Sequence, residues 1–387
     1  MRKMKLAMLI VFCVMLFGGT VVSFVLPDRE FSDVENRELA KKPKITAKRI
    51  LSGEYQKEYD TYLSDQFFSR DKWVDLAVRE QIALGKKDFN GVYLGKNNYL
   101  LEKYEKADFD SGQIKENETY LTTFLNETEK RYGRKHVRAM FVPSKTTALT
   151  NVLPAYADTI DWQSMIRDLQ TKVDEPNLIY DLTKTMQSHN EEYIYYRTDH
   201  HWTSLGAYYA YREFCDAKGL TAHELSEYQQ ENFGSFLGSF YLDTNRSKTL
   251  KKDKVKAYFP VDHDKMTMTY HDQNGGSYKT SVIANGQKYS VQLKYCAFLA
   301  GDNPYTVIHN KKIKDGSSCV VVKESYGNAF IPYLADHYQK IYVVDYRYWK
   351  GSVSKLATKN NVQDVIFINN ISMTRNAYLV GKIAQIK

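Results

Sequence analysis

Five short stretches, each nearly unbroken in apolar character, constrain this chain more than anything else in it. They are HVRAMFV (residues 136–142), NLIYDL (177–182), SCVVVKES (318–325), KIYVVDY (340–346) and DVIFIN (364–369). Each is rich in β-branched or aromatic residues, which suit a pleated, packed surface. A strand with one wet face alternates apolar and polar residues. These runs do not, so both faces must be covered. Helical patterns lie between them at 162–173, 203–218, 329–337 and 352–359. Apolar strands alternating with helices predict a doubly wound parallel α/β sheet.

Residues 233–304 break that alternation. GSFLGSFY, KVKAYF, KMTMTYH, NGGSYKT and YSVQLKY alternate in polarity and are divided by Gly/Asn turns, the pattern of half-exposed hairpins. An antiparallel β insertion in the α/β domain is expected here. Upstream, apolar residues at three-to-four spacing predict helix over 53–87 and again over 113–132. FNGVYLGKNNYLLEKY, between them, has hairpin chemistry. The first residues read differently. MRKMK is a basic cap, and residues 6–26 form an uncharged apolar run, about the length of roughly 20 residues that a helix needs to cross a bilayer. Basic residues before the run favour a cytoplasmic start; a cleaved signal peptide is the rival reading, although no A-x-A-like cleavage site precedes Pro27. The expected organisation is a cap and transmembrane anchor over 1–26, a charged tether over 27–52 and one extracytoplasmic domain over 53–387.

At 387 residues, 43% of them hydrophobic, the chain can bury a large core. A net charge of +8 is mild for that length, and no basic stripe argues for nucleic acid. The 31 tyrosines either replace phenylalanine in core and boundary layers or offer flat surfaces for sugars. Cys13 falls in the apolar run. Cys215, Cys296 and Cys319 are scattered and odd in number, so they form neither a disulfide framework nor a C-x-x-C metal site. They read as buried free thiols.

Chemistry concentrates in YYRTDHHWTSLGAYYAY, residues 195–211. Thr203 or Ser204 can cap a helix that Gly219 ends. Asp199, His200, His201 and Trp202 then lie in the loop that feeds it. Open α/β sheets gather functional groups in loops at the carboxyl ends of their strands. Three readings compete. The adjacent acid and imidazoles can ligate a metal, although the sequence has no second compact His/Asp/Glu cluster. They can cap and pack. Or Asp199 can orient an imidazole that acts as general base, which demands a nucleophile at another strand-to-helix turn. Glu324-Ser325-Tyr326-Gly327-Asn328 is such a turn. A serine there stands at a helix N-terminus, where amides and the dipole favour negative charge and can hold the oxyanion of acyl transfer. A plain serine cap is the alternative.

RTDHHWT and KESYGNAF, preceded by FSDVENRELAKKP and FVPSK, resemble the DHHW protein family. That family is related to the alginate O-acetyltransferase proteins and to the wider SGNH hydrolase fold. The resemblance spans residues 31–370. It implies an SGNH hydrolase-like doubly wound parallel sheet with an antiparallel β insertion, after an N-terminal transmembrane helix. It implies Ser325 as nucleophile, His201 as base and Asp199 as orienting acid, with His200 at the variable position of D-x-H-W. Glu324 stands where many relatives carry aspartate and receives no role. Oxyanion or substrate contacts are expected from Gly327, Asn328 and Asn369 or Asn370. Arg347, His200 and Trp202 are further candidates, and Gly301 and Asp302 are placed at the rim. No metal or cofactor is implied. The implied activity is O-acetyl transfer through an acyl-serine to a polysaccharide acceptor outside the cytoplasm. A membrane-bound O-acyltransferase would supply the acyl group. A carbohydrate acetylesterase and a non-catalytic glycan-binding scaffold are the alternatives.

Overall fold

The computed structural model describes residues 2–32, 37–89, 91–104, 111–244 and 250–386. The chain divides into two compact units, Met1–Lys86 with Tyr241–Leu250, and Lys87–Phe240 with Lys251–Lys387.

The first unit is mainly helical. Helices Glu54–Gln66 and Arg70–Ala83 occupy the stretch whose spacing predicts helix. Extended Phe67 ends the first, and Ser69, at φ 54°, precedes the second. The N-terminal apolar run departs from expectation. It is divided into a helix Arg2–Cys13, a π-helical turn Val14–Gly18 and a helix Gly19–Val25. Among the described residues no helix is long and apolar enough to cross a membrane. The expected transmembrane helix, and with it single-pass anchoring, is therefore corrected. The physical reason is length. The α-helical pieces span 12 and 7 residues, against the roughly 20 a bilayer demands. Adjacent Gly18 and Gly19 weaken helical preference where the pieces divide.

The second unit is built on one eight-stranded sheet. In chain order its strands are β1 (Val137–Val142), β2 (Ile179–Asp181), β3 (Met266–His271), β4 (Ser277–Thr280), β5 (Tyr305–Asn310), β6 (Ser318–Lys323), β7 (Lys340–Asp345) and β8 (Asp364–Asn370). They lie in the order β4-β3-β5-β7-β6-β8-β1-β2. The five apolar runs are β1, β2, β6, β7 and β8, and each neighbouring pair among them is parallel. Strands β5, β3 and β4 continue the sheet antiparallel beyond β7.

Successive side chains point to opposite faces, so each parallel strand feeds two cores. Met140, Val321, Val343 and Ile366 pack with Tyr208, Tyr211 and Phe214 of helix Ser204–Lys218 and with Phe330, Ile331 and Leu334 of helix Gly327–Leu334. Phe141, Val320, Val322, Val344 and Phe367 pack on the other face. Their partners are Leu121, Phe124 and Leu125 of helix Ser111–Tyr132 and Ile166 and Leu169 of helix Trp162–Lys172. Each large apolar side chain so buried contributes roughly 1.5–3 kcal/mol. Burial on both faces is why these runs show no alternation. Tyr195, Tyr196, Tyr211, Tyr326, Tyr333 and Tyr346 are among the largest fully buried side chains, so much of the tyrosine content is core.

The interval 233–304 is more mixed than its alternation suggests. KMTMTYH and SYKT are β3 and β4, strands of the main sheet rather than of a separate insert. Gln229–Phe236 and Asp253–Phe259 form their own two-stranded ribbon. YSVQLKY forms no strand and leads into the 3-10 turn Lys294–Ala297. Upstream, Asp88–Phe89, Val92–Leu94 and Leu100–Glu102 form a three-stranded meander at the expected hairpin. All four cysteines are free, Cys215 and Cys319 fully buried.

Candidate active site

The Asp/His loop is fixed from several sides. Residues 194–203 double back through an antiparallel bridge between Tyr195 and Trp202. The Tyr196 amide donates to His201 O at 3.1 Å, and the Thr203 amide to Ile194 O at 2.8 Å. Thr203 then caps the following helix through the Gly206 amide, and Gly219 ends it at φ 69°. From the ribbon, the buried Asp253 carboxylate accepts from the Arg197 and Thr198 amides at 2.8 and 2.7 Å, the Thr198 hydroxyl at 2.5 Å and the Tyr193 hydroxyl. The loop lies over the carboxyl ends of β1 and β6. Tyr195 OH donates to Pro143 O, just past β1, at 2.8 Å, and Trp202 Nε1 to Tyr326 O, just past β6, at 3.0 Å.

Three side chains meet there in series. His201 Nδ1 lies 2.5 Å from Asp199 Oδ1, and His201 Nε2 lies 2.7 Å from Ser325 Oγ. All three residues are buried. Asp199 Oδ1 also accepts from the His201 amide at 2.9 Å, and Oδ2 accepts from the Ser239 amide at 2.9 Å. A carboxylate on Nδ1 assigns the ring hydrogen to that nitrogen and leaves Nε2 to accept the serine hydroxyl proton. Burial alone would raise the Asp199 carboxyl. The adjoining imidazoles of His201 and His200, with hydrogen bonds from His201 and Ser239, outweigh it and hold the group well below the usual carboxylate range. His200, by contrast, is pushed down to about 3 by burial first and by its neighbour His201 second. Its Nδ1 is 2.8 Å from Ser239 Oγ.

Ser325 opens onto a cleft of about 330 Å³ whose walls include His200, Phe240, Glu324, Arg347, Asn370 and Arg375. The remaining candidates divide by position. Trp202 anchors the turn that carries Ser325, as above. The Gly327 and Asn328 amides are engaged within that turn, donating to Glu324 O at 3.0 Å and Ser325 O at 3.1 Å. The Ser325 amide has no acceptor among the described residues. Asn328 Nδ2 donates to Asp302 Oδ1 at 2.8 Å. Arg347 reaches both Asp345 oxygens, at 2.8 and 2.6 Å, and Asp302 at 2.9 Å. Asp302 follows a left-handed turn, Leu299–Gly301 at φ 54°, 55° and 87°, tied down by Asn303 Nδ2 on Leu299 O at 3.1 Å. Asn369 is buried on the face of β8 that carries Phe367, its Oδ1 taken by Tyr346 OH at 2.9 Å. Asn370, unlike Asn369, lines the cleft, but Nδ2 donates to Pro143 O at 3.3 Å and Oδ1 accepts from Ser372.

Asp199, His200 and His201 offer ligand atoms within 4.8 Å of one another, enough to hold a metal ion. Hydrogen bonds already occupy Asp199 Oδ1 and Oδ2, His200 Nδ1 and both nitrogens of His201. The donor set therefore fits a proton relay better than a coordination shell.

Four contributing residues were not found by sequence reasoning. Gly238 and Ser239 bring backbone against Asp199 from 40 positions away. Tyr295 lies flat on the His201 ring, centroids 4.0 Å apart and planes at 15°, and its hydroxyl donates to Ser325 O at 3.0 Å. Lys145, fully buried, donates from Nζ to Asp199 O and Leu100 O, both at 2.6 Å, and burial pushes it down to about 8. Its one signal was position, in FVPSK directly after β1.

Residues 163–344 match the family model described as DHHW protein. A DHHW family protein from Eubacterium siraeum is similar in structure, with TM-score 0.64 and 25% identity over 76% of this chain and 96% of that one. PatB1 of Bacillus cereus, in a structure with a sulfonyl adduct, has TM-score 0.61 and 21% identity over 76% of this chain and 97% of that one. The O-acetyltransferase domain of Pseudomonas putida AlgJ aligns more distantly, at TM-score 0.43 and 13% identity over 76% and 98% of the two chains. No curated protein matches the sequence.

Proposed function

We propose, with the resemblance to the DHHW protein family as premise, that this chain is an SGNH hydrolase-like O-acetyltransferase working outside the cytoplasm. It would move an acetyl group through Ser325 onto a hydroxyl of a polysaccharide. One observation carries the reading. A carboxylate, an imidazole and a serine hydroxyl stand in hydrogen-bonding series at 2.5 and 2.7 Å, the serine open to a cleft.

In the first half-reaction, Ser325 Oγ attacks the donor's acyl carbon while His201 Nε2 takes the hydroxyl proton. Asp199, held ionised, favours the imidazolium and fixes its ring. The Ser325 amide is available to the oxyanion. In the second half-reaction, a sugar hydroxyl attacks the acyl-serine and gives its proton to His201. A positioned base supplies about 10²–10⁴ in rate, and one oxyanion donor about 10²–10³. A membrane-bound O-acyltransferase is the proposed acyl source. The sequence has no glycine-rich phosphate loop that would let the chain hold an acyl nucleotide itself. The basic cap and apolar run support work outside the cytoplasm under the signal-peptide reading, which needs no anchor.

The test uses an aryl sulfonyl fluoride, then 4-nitrophenyl acetate with soluble oligosaccharide acceptors. The reading expects a sulfonyl adduct on Ser325 by peptide mass spectrometry. Ser325→Ala abolishes it, and His201→Ala slows it by about 10²-fold or more. Acetylated sugar is the expected product of the second assay. Acetate alone, with acceptor present, converts the assignment to carbohydrate acetylesterase. No adduct at Ser325 leaves a glycan-binding scaffold.

A further inference from the structure

Ser325 has a second partner besides His201. Glu324 Oε2 lies 3.1 Å from Ser325 Oγ and 3.2 Å from the Tyr326 amide, and Oε1 accepts from the Asn370 amide at 3.0 Å. The glutamate is buried and lines the same cleft. A serine hydroxyl has one proton to donate. If that proton lies on the 2.7 Å line to His201 Nε2, the contact to Glu324 contains a hydrogen only when the carboxyl provides it. Otherwise two oxygen lone pairs face each other. The other arrangement has the serine donating to an ionised Glu324 and His201 donating to the serine. That places a proton on the imidazole and removes its capacity as a base.

We propose that Glu324 is neutral in the reactive form of the site, donates a hydrogen bond to Ser325 Oγ, and assists departure of that oxygen in the transfer step. The proposal rests on the acyl-serine reading. The acceptor oxygen bonds to the acyl carbon as His201 Nε2 takes its proton. The C–Oγ bond of the acyl-serine then breaks, its electron pair passes to Oγ, and the proton on Nε2 is returned to Oγ. Glu324 keeps its own proton throughout and lowers the energy of the leaving oxygen by hydrogen bonding.

The surroundings favour a neutral carboxyl. Burial raises the Glu324 group, and Arg347 opposes it only in part, its guanidinium shared with Asp345 and Asp302. The other titratable groups that face Glu324 are His201 from the loop, Tyr295 from the 294–297 turn, Tyr326 beside it and Tyr346 past β7. Glu102 and Arg375 share the cleft. The sign follows from the geometry. Ionised Glu324 would stand 3.1 Å from an oxygen gaining negative charge, so release of the acyl group must slow as pH rises through its ionisation.

The experiment follows the burst and steady phases of 4-nitrophenyl acetate turnover against pH, in the full chain. The wild type is expected to show an alkaline fall in the deacylation rate. In Glu324→Gln the amide still donates but cannot ionise, so the rate is lower yet the alkaline fall disappears. Glu324→Ala, with no donor, slows deacylation by about 10²-fold where the wild-type carboxyl is neutral, and the gap closes as the wild type falls at alkaline pH. Retention of the alkaline fall in Glu324→Gln, or wild-type deacylation in Glu324→Ala, overturns the proposal. Should neither variant fold, the wild type provides a second readout. A carboxylic-acid carbonyl band in the infrared spectrum that shifts when Ser325 is sulfonylated supports it, and no such shift overturns it. Absence of any adduct on wild-type Ser325 overturns this inference together with the acyl-serine reading, whereas an adduct with pH-independent deacylation overturns this inference alone.

Discussion

Gly238 decides where Asp199 can sit. A Cβ added to it would lie 2.1 Å from Asp199 Cβ and 2.2 Å from Oδ2, and no side-chain rotation relieves a contact with a Cβ. Gly238→Ala is therefore expected to displace Asp199 and, through it, the His201 ring. Sulfonyl fluoride labelling of Ser325 should slow by about 10²-fold or more, the loss of an oriented base, while circular dichroism shows a folded chain. Labelling at the wild-type rate would mean that the acid is not held from this side. Ser239→Ala, which keeps the backbone hydrogen bond to Asp199, and His200→Ala, which removes a hydrogen bond to Ser239 rather than to Asp199 or Ser325, should each be milder than His201→Ala. Equal losses at His200 and His201 would undo the choice between them. The proposed acid, base and nucleophile stood out in the sequence because each occupies a short, distinctive stretch, and the resemblance then singled out His201 over His200. Gly238, Ser239 and Tyr295 carry no such mark. A glycine, a serine and a tyrosine are ordinary residues until folding sets them against the loop, and only the third dimension shows that Tyr295 is the ring under His201. Asn369 misled for a related reason. It stands at the right end of β8, but the strand's two-residue period turns it to the opposite face from Ile368.

At the scale of elements, the five parallel strands were legible because burial on both faces erases alternation, and runs this short and rich in β-branched residues read as strand rather than helix. The interval 233–304 was less so. Alternation states that one face is wet but not which sheet the strand joins, so β3 and β4 read the same whether they form an insert or lengthen the main sheet. β5, with half its residues partly exposed, gave no contrast with the turns around it. The ribbon strand Asp253–Phe259 shows what this interval does for the site, since its first residue clamps the Asp/His loop. Asp253→Ala would leave the Arg197 and Thr198 amides and the Thr198 hydroxyl without their buried acceptor. Each unpaired buried donor costs about 1–3 kcal/mol. Urea unfolding of the variant should show a loss of about 3 kcal/mol or more, with Ser325 labelling reduced even where the chain stays folded. Unchanged stability would remove the ribbon from the account of how the loop is held.

At the scale of the whole molecule, the two units contribute unequally. The eight-stranded sheet, both apolar cores, the Asp199–His201–Ser325 series and the cleft are all drawn from Lys87–Phe240 and Lys251–Lys387. Sequence patterning suggested instead a domain starting at residue 53, because helical periodicity begins there and composition does not change at Lys87. Periodicity reports that a helix has an apolar face, not which core receives it. A chain starting at residue 87 and one starting at residue 53 therefore make opposed predictions. If the core of a domain is what makes it fold, the shorter chain should unfold cooperatively and form the Ser325 sulfonyl adduct at the full-length rate, since it lacks no residue of either core or of the site. Thermal unfolding followed by circular dichroism, with adduct formation measured on the same samples, decides between them. A chain from residue 87 that aggregates or labels slowly, beside a chain from residue 53 that does neither, would return the boundary to residue 53 and make the helices Glu54–Gln66 and Arg70–Ala83 part of what keeps the unit that carries Ser325 folded.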